Sequence, residues 1–225
     1  MSLLVKICGL NSEIALDTAL EAGADLVGFV FFPPSPRHLD MAAARALGHR
    51  TAGRAGKVAL SVDADDALLD TIVTALDPDW LQLHGSETPE RVAAVKARFG
   101  RPVVKAIAVA APADLAKVPL YAAVADRLLF DARAPREATR PGGLGRRFDW
   151  RLLAGLEPGV PFMLSGGLDA HNVATALAVT RAPAIDVSSG VESAPGLKDP
   201  DKIRAFIRAA RLAAADARLR MASPA

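Results

Sequence analysis

Eight short runs of β-type composition alternate with longer stretches of helical period along the 225 residues of this chain. The runs are LLVKIC (3–8), DLVGFVF (25–31), KVALSV (57–62), DWLQLH (79–84), PVVKAIA (102–108), RLLFDA (127–132), PFMLSG (161–166) and AIDVSS (184–189). Between them apolar residues recur on one helical face: Val92, Val95 and Phe99 in one segment, Ile203, Phe206, Ile207 and Ala210 in another. Thr88-Pro89, Asp169 and Asp199-Pro200 set capping side chains where helices begin. Strict β–α alternation requires parallel strands joined by right-handed crossovers. Eight such units in about 200 to 250 residues make a minimal α/β TIM barrel of (β/α)8 type. A doubly wound open sheet is the rival, but it commonly uses fewer strands. With no linker or composition break, residues 1–225 read as one barrel domain. Its helical tail is expected to fray after Leu212, over about the last ten residues.

Composition narrows the function classes. The 27 basic and 25 acidic side chains leave a formal charge of +2, without the concentrated positive face that nucleic acid needs. Eight Phe, two Trp and one Tyr offer little for base stacking. The single cysteine, Cys8, makes no internal disulfide and no Cys-rich zinc site. The N-terminal MSLLVKICGL carries too short an apolar run for a signal-peptide core, and no stretch approaches the roughly 20 apolar residues that span a bilayer. A cytoplasmic protein is therefore expected, with no membrane partner. A monomer is expected too, because no exposed apolar element stands out.

In a barrel of this type the active site lies at the C-terminal ends of the strands. Cys8 ends the first run, His84 the fourth, and Asp131 nearly ends the sixth. Strand alternation sends Val5, Ile7, Leu128 and Phe130 outward onto the helices, and Lys6, Cys8 and Asp131 into the barrel. A buried cysteine is most often a small hydrophobe. At a strand end, facing a carboxyl group, its thiol becomes a candidate base with Asp131 as acid partner. Such a pair suits a proton moved between carbons of a sugar phosphate, with no cofactor and no metal. Gly166 and Gly167 after the seventh strand, and Ser188, Ser189 and Gly190 after the eighth, are candidates for phosphate binding. A glycine-rich turn alone is commonly just a turn, but loops seven and eight are the habitual phosphate position of the fold. A helix starting after Asp169 would add its dipole.

Arg37 could fork onto a carboxylate, though a loop arginine is often a solvated charge. His84 reads as a polar wall of the site or as a satisfied structural histidine. Lys6, Lys105 and Asp186 look inward-facing, and Lys6 with Asp186 reads as a structural ion pair. Gly142-Gly143-Leu144-Gly145 lacks the Lys-Ser/Thr of a P-loop, and the 132–147 segment reads as a lid.

The stretches VKICGL (5–10), SPR (35–37), LQLHG (81–85), LLFD (128–131), GGLGRRFDW (142–150), LSGGL (164–168), DVSSGVE (186–192) and GLKD (196–199) resemble phosphoribosylanthranilate isomerases, in order over residues 3 to about 207. The resemblance implies the isomerase of tryptophan biosynthesis, acting on a phosphorylated small molecule with Cys8 as general base and Asp131 as general acid. It places Arg37 near the anthranilate carboxylate. Leu144 stands where the family often has a hydroxyl residue in the lid, and Asn11, where Thr is common, could still cap the first helix. A histidine-pathway isomerase barrel would carry Asp at the first-strand position, and indole-glycerol-phosphate synthase chemistry has no clear counterpart here. A non-catalytic barrel binding a phosphorylated ligand is the remaining alternative.

Overall fold

In the computed structural model, which describes residues 3–135 and 137–222 (without the side chains of Arg218, Arg220, Met221 and Ala222), eight parallel strands close on themselves in chain order. They are β1 (Leu4–Cys8), β2 (Leu26–Phe31), β3 (Gly56–Ser61), β4 (Trp80–Leu83), β5 (Val103–Val109), β6 (Arg127–Ala132), β7 (Phe162–Leu164) and β8 (Ala184–Val187). The helices are α1 (Glu13–Glu21), α2 (Met41–Thr51), α3 (Asp66–Leu76), α4 (Pro89–Phe99), α5 (Val118–Ala122), α6 (Val173–Thr180) and α7 (Pro200–Ala222). Each strand falls on one of the eight runs, with ends that differ by at most two residues.

Alternation along the strands builds two separate apolar layers. Val5, Ile7, Leu128 and Phe130 face outward and pack with helix residues such as Leu16, Ile72, Val95 and Phe206. Leu26, Val58, Val104, Leu129, Met163 and Ala184 fill the lower barrel interior. Above them Cys8, Val30 and Leu60 form a smaller inner cluster. Thr88 caps α4 by accepting from the Arg91 N–H, and Asp199 accepts from the N–H groups of Asp201 and Lys202 at the start of α7.

Several expectations are corrected. No α-helix lies between β6 and β7 among the described residues. The pattern there resolves into an irregular lid and one 3-10 turn at Trp150–Leu153. Asp169 caps a turn through the His171 and Asn172 N–H groups, and α6 begins only at Val173. Ser12, not Asn11, caps α1, while Asn11 donates to the Gly196 carbonyl. Helical backbone continues past Leu212 to Ala222, and the remainder of the tail expected to fray, 223–225, lies outside the described residues. A short antiparallel hairpin, β9 (Glu192–Ala194) with β10 (Leu197–Lys198), precedes α7 and has no counterpart in the sequence reading.

Lys105 also faces the other way. It shares its strand face with Val103 and Ile107, which belong to the outer layer. Its ammonium donates to the Leu83 and Gly85 carbonyls and to Glu87, with the Tyr121 ring 5.6 Å away. A buried lysine needs such partners, and the β4–α4 loop supplies them outside the barrel.

Candidate active site

The C-terminal strand ends surround a pocket. Cys8, His84 and Asp131 line it, with Arg37 from the β2–α2 loop and the ends of β7 and β8. The barrel register brings residues distant in sequence to this one opening.

On the β1 side, Cys8 is the last strand residue and is buried. Two positions earlier Lys6 shares its face and pairs directly with Asp186 across the β1–β8 ladder. That register sets the Lys6 ammonium 2.9 Å from Asp186 Oδ1, the ion pair expected from the sequence. Burial opposes the Lys6 charge, but Asp186 and the Cys8 sulfur outweigh it and raise its pKa. Burial pushes the Cys8 thiol up, while Lys6 pulls in the opposite direction without reversing it.

On the β6 side, Asp131 Oδ1 accepts from the Ala132 N–H at 2.9 Å, and Oδ2 lies 3.2 Å from His84 Nε2. These two contacts fix the plane of the carboxyl group. His84 is thus both a wall of the pocket and a hydrogen-bonded residue, held on its other nitrogen by Gln82 at 3.0 Å.

Arg37 is not a solvated loop charge; it is only 3% exposed. Its Nε and Nη2 donate to the two oxygens of Glu192 at 2.7 and 2.8 Å, and Nη2 also donates to the Gly143 carbonyl. Burial raises the Glu192 pKa but Arg37 and Lys198 prevail, leaving it below the usual range. Lys198 donates to Glu192 and to Ser188, and burial lowers its pKa to about 8 against the pull of Glu192. Gln82, Glu192 and Lys198 received no site role from sequence. The signal available was their place inside LQLHG, DVSSGVE and GLKD; their partners lie up to 155 residues away.

At the opposite rim, Gly166 and Gly167 hold φ values of +87° and +66°, a left-handed pair that side chains resist. Their N–H groups meet no backbone acceptor among the described residues. Ser188 and Ser189 line the same rim. Gly190 does not line the pocket: its backbone packs against the Leu168 carbonyl and joins the two loops. The lid covers the opening. A Cβ on Gly142 would stand 2.6 Å from Asp131 Oδ2 and 2.8 Å from His84 Nε2, so only glycine allows the lid this close. Leu144 faces the pocket, giving it an apolar lid contact.

Among the described residues no cluster of His, Cys, Asp and Glu could hold a metal ion, and no helix is long and apolar enough to cross a membrane. The arrangement offers a thiol, a carboxyl group, a buried guanidinium and an anion-friendly rim, which suits proton transfer on a phosphorylated acid.

Comparison with known proteins agrees with that chemistry. The family model of N-(5'-phosphoribosyl)anthranilate (PRA) isomerase matches residues 5–209. An N-(5'-phosphoribosyl)anthranilate isomerase of Bradyrhizobium diazoefficiens is 67% identical over 211 residues, covering 94% of this chain and 95% of the relative. The same enzyme of Rhodopseudomonas palustris is 65% identical over 213 residues, 95% of this chain and 100% of its own length. Among solved structures, phosphoribosyl anthranilate isomerase from Thermotoga maritima superposes with a TM-score of 0.84 at 34% identity, over 93% of this chain and 98% of that one. A further isomerase, crystallised with reduced 1-(o-carboxyphenylamino)-1-deoxyribulose 5-phosphate, gives a TM-score of 0.81 at 32% identity over 93% of this chain and 98% of that one. With its barrel, its pocket and most of its length accounted for, the chain belongs to the N-(5'-phosphoribosyl)anthranilate isomerase family.

Proposed function

We propose that this pocket converts N-(5'-phosphoribosyl)anthranilate into 1-(2-carboxyphenylamino)-1-deoxyribulose 5-phosphate, an Amadori rearrangement of tryptophan biosynthesis. The observation that carries this reading is one pocket holding Cys8 and Asp131 between a buried arginine and a glycine- and serine-lined rim. The names of the relatives, and the compound held by one neighbour, support the choice of substrate.

Asp131, as the carboxylic acid, gives its proton to the furanose ring oxygen, and the bond from C1' to that oxygen breaks to leave an iminium. Cys8, as thiolate, removes the C2' proton, and the electron pair of the C–H bond moves in to form the enolamine. Tautomerisation then gives the ketone. Only protons move, so no cofactor and no metal is invoked.

Arg37 meets the anthranilate carboxylate through Nη1, the edge that Glu192 leaves open. Gly166, Gly167, Ser188 and Ser189 receive the phosphate, with Gly190 bracing their loop from behind. The Arg37–Gly143 hydrogen bond couples carboxylate binding to the lid.

The test is direct. Purified protein, without added metal or cofactor, should consume fluorescent phosphoribosylanthranilate; an unchanged signal rejects the reading. A cytoplasmic location accompanies it, checked by fractionation. We also propose a monomer. Its large exposed apolar side chains, Ile14, Leu120, Leu197, Leu212 and Leu219, are spread over α1, α5, the hairpin and α7. Light scattering at micromolar concentration decides that point.

A further inference from the structure

A line of hydrogen bonds crosses the barrel beneath the pocket, from the thiol side to the carboxyl side. Lys6 Nζ donates to Gln82 Oε1 at 2.8 Å, within a buried contact. Gln82 Nε2 lies 3.0 Å from His84 Nδ1, and His84 Nε2 lies 3.2 Å from Asp131 Oδ2. The polarity of the whole line follows from its first member. An ammonium has three donors and no acceptor, so the Gln82 atom facing Lys6 must be the carbonyl oxygen. The amide NH2 then faces Nδ1, which must accept. A ring nitrogen that accepts carries no hydrogen, so the neutral imidazole keeps its proton on Nε2 and donates it to Asp131.

We infer that Lys6 and Gln82 are positioning residues for the acid: they hold His84 in the neutral Nε2–H tautomer and thereby leave Asp131 able to carry the proton it delivers.

The reason lies in what the line forbids. An imidazolium needs a proton on Nδ1, where it would meet the Gln82 NH2 donor to donor. Turning the amide over relieves that clash only by pointing NH2 at the Lys6 ammonium. Asp186, 2.9 Å from Lys6, keeps the ammonium in place. A cationic His84 beside Asp131 would favour the carboxylate and discharge the acid, whereas a neutral N–H donor does so far less. Asp63, Lys105, Lys117, Tyr121 and Arg140 share the adjoining cavity with His84, and Cys8, Arg37, Arg133, Arg146 and Asp186 share its pocket. Lys105 is committed to Glu87, and Asp63 accepts from the Ser86 N–H. None of these groups makes a hydrogen bond to Nδ1 among the described residues; Gln82 alone does.

This inference rests on Asp131 being the acid of the proposed reaction, but its first test does not. Nitrogen-15 NMR of the wild-type imidazole at neutral pH should show Nε2 protonated and Nδ1 bare. An Nδ1–H tautomer or an imidazolium there overturns the inference, and no variant need fold for that result. Gln82→Glu then puts a carboxylate beside Nδ1. His84 should become imidazolium at neutral pH, with kcat down by about tenfold or more and KM within about twofold. The acidic limb of kcat should move to higher pH, since the rate recovers only once His84 loses its extra proton. Gln82→Met, with neither donor nor acceptor, should give mixed tautomers and a smaller loss. A changed tautomer with an unchanged kcat profile would overturn the link to Asp131. Full activity in Asp131→Asn, with the wild-type tautomer as described, would instead remove the acid assignment and leave the tautomer lock standing.

Discussion

The two ends of the barrel interior are built from opposite materials. At the lower end Leu26, Val58, Val104, Leu129 and Met163 close the channel with apolar side chains. One step higher the inward positions are Lys6, Gln82 and Asp186, and at the top Cys8, His84 and Asp131. Strand alternation gives both ends the same inward geometry, so the difference lies in composition alone. Burial of apolar area at the lower end favours folding, while every charge above it must be matched because desolvation is costly. The lower end holds the strands in register; the upper end uses that register to pair residues such as Lys6 and Asp186.

Mutations should separate the two ends. Asp131→Asn and Cys8→Ser should each lower kcat by about 10² to 10⁴-fold with little change in melting temperature. Near-wild-type rates in either variant would remove that residue from the mechanism. Leu129, fully buried in the lower layer, should behave in the opposite way. Leu129→Ala should cost about 2 to 5 kcal/mol in urea unfolding, with kcat unchanged below the transition. A large loss of kcat there would break the division between the ends.

Arg37→Lys keeps a charge but loses the fork that grips Glu192. KM should rise about tenfold with a smaller change in kcat, an effect of about 1.4 kcal/mol. Equal losses in both constants would place Arg37 in the chemical step. The mildest test is pH. Burial holds the Cys8 pKa above its ordinary value. Below that pKa the thiolate fraction rises about tenfold per pH unit, so the residual kcat/KM of Asp131→Asn, which has no titrating acid to offset the gain, should climb through neutral into alkaline pH. A plateau already reached at neutral pH would mean that Lys6 dominates over burial at the sulfur.

The strands were legible because each is a short, largely apolar run set between helical patterns, and the caps because Thr88 and Asp199 act on their own neighbours. The lid resisted reading. Residues 137–147 have no regular backbone bonding and take their positions from Arg37, Asp131 and His84. The inward reading of Lys105 fails because a lone lysine among the apolar residues of its run gives no sign of which face carries its partners. Glu87 and Tyr121, from α4 and its loop and from α5, supply that answer only in space. The β9–β10 hairpin is too short for a periodic signal, yet it carries the carboxylate that aims Arg37.

By itself the sequence determined the alternation, the inward direction of Lys6, Cys8 and Asp131, and the glycine turn after β7, because these depend on local pattern and local backbone freedom. The tertiary structure decided the pairings. Arg37 meets Glu192 across 155 residues, and Lys6 reaches Gln82 across 76. Such contacts depend on barrel closure and strand register, which no window of neighbouring residues contains. Only that closure brings the one cysteine and Asp131 to a shared pocket, and only the hydrogen bonds it permits fix where the His84 proton lies.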